Sequence, residues 1–381
     1  MASRHEKKRT DKKEKNSGNI KNLHVADKKT KVGDISSSAI YEDISSSSKR
    51  KKKTKKGKKI ALIVTSVILV VIICASIYAV PRIIRLKNSL NNINREQINS
   101  ENVSANDVFS NKVINIALFG IDSRSNDISG RSDAIVILTI DKVHDKIKMT
   151  SIARDTYVSM DGHGKDKLTH AFAYGGAELA IKTINQNFNL DITDFVAINF
   201  FGLTDIIDYL GGIELDVDAS EKSVMNSEYV PELNSIGIPC KYIRKTGLQT
   251  LSGSQAVAYA RNRYSAGGDV ARGNRQREVL EQVYKKAKSL GVDKMIDVIE
   301  MMTSNVSTSL NNKEIYDLGL WAVSNSPKIE SIGLPDEECN PKSGNGAMIN
   351  GVWYYIYDID IATGKIHDFI NETGSYIKAD E

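Results

Sequence analysis

From residue 60 to residue 80 the chain reads IALIVTSVILVVIICASIYAV, apolar on every face and without a charge. At roughly 1.5 Å per residue such a helix matches the roughly 30 Å hydrocarbon core of a bilayer. The run is longer than the ~7–15 apolar residues of a cleaved signal peptide, and Ile73 before Cys74 spoils a lipoprotein-type cleavage site. The pattern predicts an uncleaved membrane anchor over 60–80. Beyond Lys112 it changes to short β-branched runs and helical spacings. Strands are predicted over 113–119, 134–140, Lys146–Ile152, 195–200, Ile213–Val217, 329–332 and 352–357. Helices are predicted over 177–188, Gly253–Arg261, 270–290, 294–303, 313–322 and 361–370, with Ser252 and Gln255 in capping-box register. Strands interleaved with helices imply an α/β body, a central sheet covered on both sides. No repeat or Pro/Gly linker divides 112–375, which reads as one domain before a short tail, 376–381.

Charge sharpens this picture. The net charge of +5 hides an asymmetry: residues 1–59 hold 20 Lys/Arg against 7 Asp/Glu, and the rest of the chain is acidic. An acidic body argues against a nucleic-acid-binding module, and no nucleic-acid partner is expected. The segment 1–59, rich in serine and lysine, reads as a disordered cytoplasmic tail, either a solvated topology signal or a binder of anionic lipid headgroups or nucleic acid. Nine Lys/Arg fall in 49–59 and three in 81–91. The positive-inside rule then keeps the N-terminus cytoplasmic and exports the body. Residues 81–111 read as an extracellular stalk.

The arginines carry the candidate chemistry. Beyond residue 101 they gather in three windows: Arg124 and Arg131; Arg154; and Arg261, Arg263, Arg272, Arg275 and Arg277, with only Arg244 elsewhere. Arginine is favoured over lysine where a planar fork must grip phosphate or carboxylate oxygens. On the 270–290 helix, with Asp269 as its expected N-cap, the apolar stripe Val279, Val283, Ala287 and Leu290 continues back onto Gln276 and Arg272. That puts Arg272 on the buried side of the first turn with Arg275 beside it, where cations oppose the helix dipole and an anionic ligand would relieve them. Asp122 and Asp133 fall at the ends of the first two strands, suited to Mg²⁺ beside phosphate, or else to turn capping. Arg154-Asp155 follows the third strand in the same way. There is no H-E-x-x-H arrangement, G-x-S-x-G elbow or P-loop. His170 reads as structural or catalytic, and Cys240 and Cys339 as a disulfide or as two buried thiols.

The stretches NIALFGIDSRSNDISGRSDAIVILTID, KMTSIARDTYVSM, KLTHAFAYGG, FFGLTDIIDYLGGIELDV, LSGSQAVAYARNRYSAGGDVARGNRQREVL and GVWYYIYDID, in this order after a single anchor, resemble the LytR-CpsA-Psr family of bacterial cell-envelope proteins. The resemblance implies a mixed central β-sheet flanked by helices that form an apolar pocket for a polyprenyl chain. It implies a phosphotransferase on the outer membrane face. Such an enzyme moves a glycopolymer, wall teichoic acid or capsule, from a polyprenyl-pyrophosphate carrier to the N-acetylmuramic acid C6 hydroxyl of peptidoglycan. Carried over, Arg124, Arg154, Arg263 and Arg272 would grip the pyrophosphate, supported by Arg131, Arg261, Arg275 and Gln276. Asp122 and Asp133 would hold Mg²⁺ or Mn²⁺. Asp269 belongs to the same motif, while the loop YSAGG after Arg263 is less acidic than the family's usual sequence there. A polyprenyl-pyrophosphate hydrolase, or a wall-polymer receptor or membrane-bound regulator, are the competing readings.

Overall fold

The computed structural model describes residues 47–99, 112–125, 127–290, 294, 296–298, 300, 305–339 and 346–372, with the backbone alone for 47–67. Two units divide the chain, Met1–Ile72 and Ile73–Glu381. Helix α1 (Ser47–Asn91) starts in the first and ends in the second. Its stretch Ile68–Asn91 is long and apolar enough to cross a membrane, and only its end, at Ser89 and Leu90, is buried by protein. Two expectations change here. The helix begins inside the segment expected to be disordered and continues through 81–91, where a stalk was expected. Lysine and arginine are good helix formers, and extending an existing helix needs no new nucleus. Residues 1–46 of the expected tail and 100–111 of the expected stalk lie outside the described residues.

The body builds a seven-stranded mixed sheet. Strand β1 (Asn94–Arg95) is followed by β2 (Val113–Asp122), β3 (Arg131–Asp141) and β4 (Lys146–Ile152), then by the hairpin β5 (Tyr157–Met160) and β6 (Gly164–Lys167). Helix α2 (Leu168–Phe188), strand β7 (Asp194–Asn199), helix α3 (Phe200–Tyr209) and strand β8 (Ile213–Val217) come next. Helix α4 (Ala219–Val224) passes through a π-helical turn, Met225–Tyr229, into α5 (Val230–Ser235). Strand β9 (Gly247–Leu251), helices α6 (Gly253–Arg261) and α7 (Gly268–Ser289), strand β10 (Val306–Thr308), helix α8 (Asn312–Asn325) and strand β11 (Lys328–Leu334) follow. The hairpin β12 (Ala347–Ile349) and β13 (Val352–Tyr354) and helix α9 (Ile359–Asn371) complete the described chain. Sheet order is β1-β10-β7-β2-β3-β4-β11, with both parallel and antiparallel neighbours.

Side chains alternate across this sheet with period two. Phe119, Ile121, Ile135, Ile137, Phe195 and Ala197 point to one face and form a core with α2 and α9, in which Ile181, Ile184, Phe188 and Ile366 are fully buried. A second core, separate from the first, joins α3, β8, the π turn, α5, α6 and α7 around Ile207, Leu215, Met225, Val230, Leu233 and Ala256. Helix α6 starts at the predicted capping box: Ser252 Oγ accepts from the Gln255 N–H, and the Ser252 N–H donates to Gln255 Oε1. Cys240 and Cys339 sit one in each core as free thiols, and burial pushes the Cys339 thiol up to about 11. Lys148 of β4, 1% exposed, ties the end of α9 to the sheet. Its Nζ donates to Asp141 Oδ2 (2.8 Å) and to the Ile370 carbonyl (2.7 Å).

Candidate active site between the sheet and three helices

The other face of the sheet does not meet a core. Leu118 and Gly120 of β2, Ala134 and Val136 of β3, Val196 and Ile198 of β7 and Val306 of β10 line a cavity of about 770 Å³. Leu203 and Ile206 of α3, Val257 of α6 and Val279, Leu280 and Val283 of α7 close its opposite wall. Its size falls within the range of small-molecule pockets. Close approach of strands shapes the sheet side: a Cβ on Gly120 would lie 2.8 Å from the Ala134 Cβ.

Toward the strand ends the lining turns polar. Asp122, the last residue of β2, continues the cavity-facing set 118, 120, 122. Asp133 reaches the same side for a different reason. Gly120 pairs with Ala134 and Ile121 with Ser132, so Asp133 is the extra residue of a β-bulge, and the bulge turns its side chain into the cavity. It therefore lies inside β3, whereas the pattern placed it just before the strand. Both aspartates leave a buried oxygen, Oδ1, without a hydrogen-bond partner. Burial first, and then the neighbouring Asp133 charge, raises the Asp122 carboxyl above its ordinary range. Two half-buried, mutually repelling carboxylates with orphaned oxygens are a donor set that a hard divalent cation would satisfy. The three-residue set Asp141, His144 and Glu372 also offers metal-type ligands, but Lys146 and Lys148 already pair with its carboxylates.

Arg154, after β4, bonds Asp133 Oδ2 through NH1, and its Nε lies 3.3 Å from Asp155 Oδ2. Burial works against its charge, yet Asp133 and Asp155 hold its pKa above the ordinary arginine value. Arg272 occupies the cavity-facing stripe of α7 with Gln276, Val279, Leu280 and Val283, as the spacing predicts. It is 6% exposed, its Nε has no partner, and its NH1 lies 3.0 Å from Asp269 Oδ1. Burial, and then the Arg154 charge, lowers the Arg272 pKa, so the cation stands against its surroundings. Asp269 does not cap the helix; Gly267 does, at φ 87°, and Asp269 falls in the first turn. Arg263 feels the same Arg154 charge, and its NH2 donates to Tyr264 Oη (2.6 Å). Arg261 lies over the Phe200 ring at 4.4 Å and leaves NH1 unsatisfied. Arg124 and Arg261 both reach Glu232 Oε1 at 3.0 Å. Arg131, opposite Asp122 in the β2–β3 register, is exposed at the rim. The Gln276 Nε2 donates to the Asp133 carbonyl at 3.4 Å.

Arg275 departs from its expected role. Its guanidinium turns away from the cavity and is spent on Glu221 Oε1 (2.6 Å), the Asn262 carbonyl (2.8 Å) and Ser265 Oγ (2.7 Å). On a helix, three residues of separation from Arg272 is enough to move the side chain toward the second core. Conversely, Glu228, Tyr229 and Glu232, with Lys167 and Thr169, line the cavity without having been read as site residues; Asp155, and His170, whose spacing left structural and catalytic roles open, line it too. Residues 219–235 give no distinctive spacing, because the π turn shifts the helical period partway along.

The arrangement is an apolar cavity ending in six guanidinium groups and the Lys167 amine against five carboxylates, an excess of cations suited to an amphiphile with an anionic head. The chain is 34% identical over 246 residues to the polyisoprenyl-teichoic acid–peptidoglycan teichoic acid transferase TagT of Bacillus subtilis, covering 63% of this chain and 70% of that protein. It is 30% identical over 290 residues to the corresponding transferase TagU of Bacillus anthracis, covering 74% and 87%. Among solved structures, TagT bound to LI-WTA aligns with a TM-score of 0.55 at 29% identity, over 69% of this chain and 93% of that one. The LytR-CPS2A-psr family protein YwtF (TagT) with bound octaprenyl pyrophosphate lipid aligns at 0.51 and 27% identity, over 69% and 93%. The LytR_cpsA_psr family model matches residues 80–366, three quarters of the chain. With the motifs, the mixed sheet and the arginine-lined cavity in agreement, the chain belongs to the LytR-CpsA-Psr family.

Proposed function

We propose that this protein is a membrane-anchored phosphotransferase. It moves a glycopolymer such as wall teichoic acid from a polyprenyl-pyrophosphate carrier to a peptidoglycan hydroxyl on the outer face of the membrane. The observation that carries this reading is Arg272: buried, unpaired at Nε, and set beside Arg154 at the polar end of an apolar cavity. Such a cation calls for an anion, and the apolar walls call for a hydrocarbon chain joined to it. The transferases named among its relatives, and the octaprenyl pyrophosphate bound by one of the similar structures, agree in substrate class.

Phosphoryl transfer depends on charge neutralisation and in-line positioning more than on a covalent nucleophile. Arg154, Arg263 and Arg272 bind the pyrophosphate oxygens and stabilise the charge that gathers on the departing polyprenyl phosphate. Arg124, Arg131 and Arg261 extend the positive rim toward the glycopolymer, with Gln276 beside them. Asp122 and Asp133 would hold Mg²⁺ or Mn²⁺, which supplies further neutralisation of the pyrophosphate when bound. The nine-to-three excess of Lys/Arg before the anchor supports a cytoplasmic N-terminus and an exported body.

The test uses the full chain in lipid nanodiscs with a synthetic polyprenyl-pyrophosphate-linked glycopolymer and peptidoglycan. The expected product is a phosphodiester-linked conjugate and free polyprenyl phosphate. Release of polyprenyl phosphate without conjugate at any acceptor concentration would establish a hydrolase instead.

A further inference from the structure

The described site grips a donor but names no group to take the proton from the acceptor hydroxyl. Asp122 and Asp133 are assigned above to a divalent cation, and Asp133 is also paired with Arg154; carboxylates neutralised by cations are poor bases. We infer that His170, oriented by Asp166, is that base, and that the aromatic rim around Asp166 is where the acceptor saccharide enters. This rests on the transferase reading above.

Placement comes first. The opening turn of α2 is locked to the segment that carries Arg154: the Leu168 N–H donates to the Thr156 carbonyl and the Thr169 N–H to the Arg154 carbonyl, both at 2.9 Å. His170 follows directly and lines the cavity together with Arg154, Lys167 and Thr169. An unbroken series of ion pairs leads there from the polar end: Asp133 to Arg154, Arg154 to Asp155, and Asp155 Oδ1 to Lys167 Nζ at 2.8 Å.

Chemistry comes second. His170 Nδ1 lies 2.8 Å from Asp166 Oδ2. Burial raises the Asp166 carboxyl, but hydrogen bonds from His170, the Lys167 N–H and Tyr174 outweigh it and hold the pKa below the ordinary range. An ionised carboxylate only accepts, so Nδ1 carries a hydrogen, which in the neutral imidazole leaves the lone pair on Nε2. Among the described residues no hydrogen bond engages Nε2. This is the orienting pair that makes an imidazole a directed base.

The rim supplies recognition. Tyr174 donates to Asp166 Oδ2 at 3.0 Å, stacks on His163 with centroids 4.6 Å apart, and is 49% exposed. Tyr354 donates to Asp166 Oδ1 at 3.3 Å and packs on Tyr157 at 4.8 Å, with the Lys167 amine over its ring. The exposed Tyr174 ring suits the C–H face of a pyranose, and the exposed Lys165 amine suits a carboxylate. The fitting acceptor is therefore a glycan strand bearing acidic substituents.

In the step, the acceptor oxygen bonds to the phosphorus next to the glycopolymer while its proton passes to His170 Nε2. The bond from that phosphorus to the bridging oxygen breaks, its electron pair leaves with polyprenyl phosphate, and the imidazolium later releases its proton to water.

Full-length wild type, His170→Gln, His170→Ala, Asp166→Asn and Tyr174→Ala are compared for polyprenyl pyrophosphate binding and for transfer to peptidoglycan. His170→Gln is expected to bind the donor like wild type and to lose about 10²- to 10⁴-fold in kcat. Added imidazole is expected to restore part of the rate in His170→Ala alone. Asp166→Asn should lose less than His170→Gln. Tyr174→Ala should raise the acceptor KM about 3- to 10-fold and, with one hydrogen bond to Asp166 lost, lower kcat less than Asp166→Asn does. Transfer by His170→Gln within threefold of wild type overturns the base assignment, as does loss of donor binding without imidazole rescue. An unchanged acceptor KM in Tyr174→Ala overturns the rim's role. Failure of wild type to transfer would instead strike the proposed function itself.

Discussion

Arg272 and Arg275 are one helical turn apart and have opposite relations to the fold. Arg272 is buried beside Arg154 with its Nε unpaired, whereas Arg275 makes three hydrogen bonds at 2.6–2.8 Å in the second core. Removing Arg272 should leave ligand-free stability unchanged or slightly higher, because its charge is disfavoured where it sits. Transfer should fall about ten- to a hundred-fold, the worth of roughly 1.5–3 kcal/mol of charge-assisted bonding, with Arg272→Lys in between. Arg275→Ala should do the reverse, losing roughly 3–5 kcal/mol of stability by stranding Glu221, while the folded fraction keeps its turnover. Denaturant melts and transfer rates on the same samples check both. Asp141 allows a test by pH. Burial opposes its charge, but Lys148 and His144 hold its carboxyl down at about 2, against 3.8 ordinarily. A depressed carboxyl contributes stability that is full above pH 3.8 and fades as pH falls through about 2. Asp141→Asn should therefore be less stable than wild type at pH 7, with the gap narrowing in melts taken from pH 5 to pH 2.

At the level of elements, the β-bulge at Asp133 and the period-two alternation of β2, β3 and β7 decide what faces the cavity. Val136→Phe would push a ring into the apolar lumen from the sheet side. Binding of long polyprenyl phosphates should weaken more than binding of a short-chain analogue, with the melting midpoint nearly unchanged, in titrations of the two ligands side by side. Much of this architecture is legible in the chain. The strand Lys146–Ile152, the strand Ile213–Val217 and the helix Gly253–Arg261 fall where hydrophobic spacing and the capping box put them. The arginine windows and the α7 stripe through Arg272 lead to the polar end of the cavity. What the pattern hides has physical causes. A bulge adds a residue without a composition signal, so Asp133 reads as a strand flank. Helix α3 follows β7 directly, with Asn199 as its N-cap, and Phe200 beyond it reads as one more strand residue, so 195–200 reads as strand to its end. Cavity-facing Leu118 and Val196 look like core residues, because a wall awaiting a lipid and a wall packed on protein are equally apolar. Half of the helix expected over 294–303, residues 295, 299 and 301–303, lies outside the described residues.

For the molecule as a whole, the chain carries one helical run, Ile68–Asn91, long and apolar enough to cross a membrane, before the residues that line the cavity. Protease added to intact, wall-stripped cells should digest the chain beyond Val80 and spare residues 1–59; protection of the body would reverse the orientation proposed above. The apolar lumen has a further consequence for turnover. In the proposed reaction the hydrocarbon tail enters and leaves chemically unchanged, so the walls from Leu118 to Val283 hold spent carrier as firmly as loaded carrier. Uniform binding of this kind gives no direction to exchange. Discrimination falls to the guanidinium end, where a monophosphate offers fewer oxygens than a pyrophosphate. Polyprenyl phosphate should then act as a competitive product inhibitor, and substitutions among the arginines should erode preference for the loaded form before they empty the lumen. The pace of wall assembly would follow how quickly the membrane draws spent carrier away.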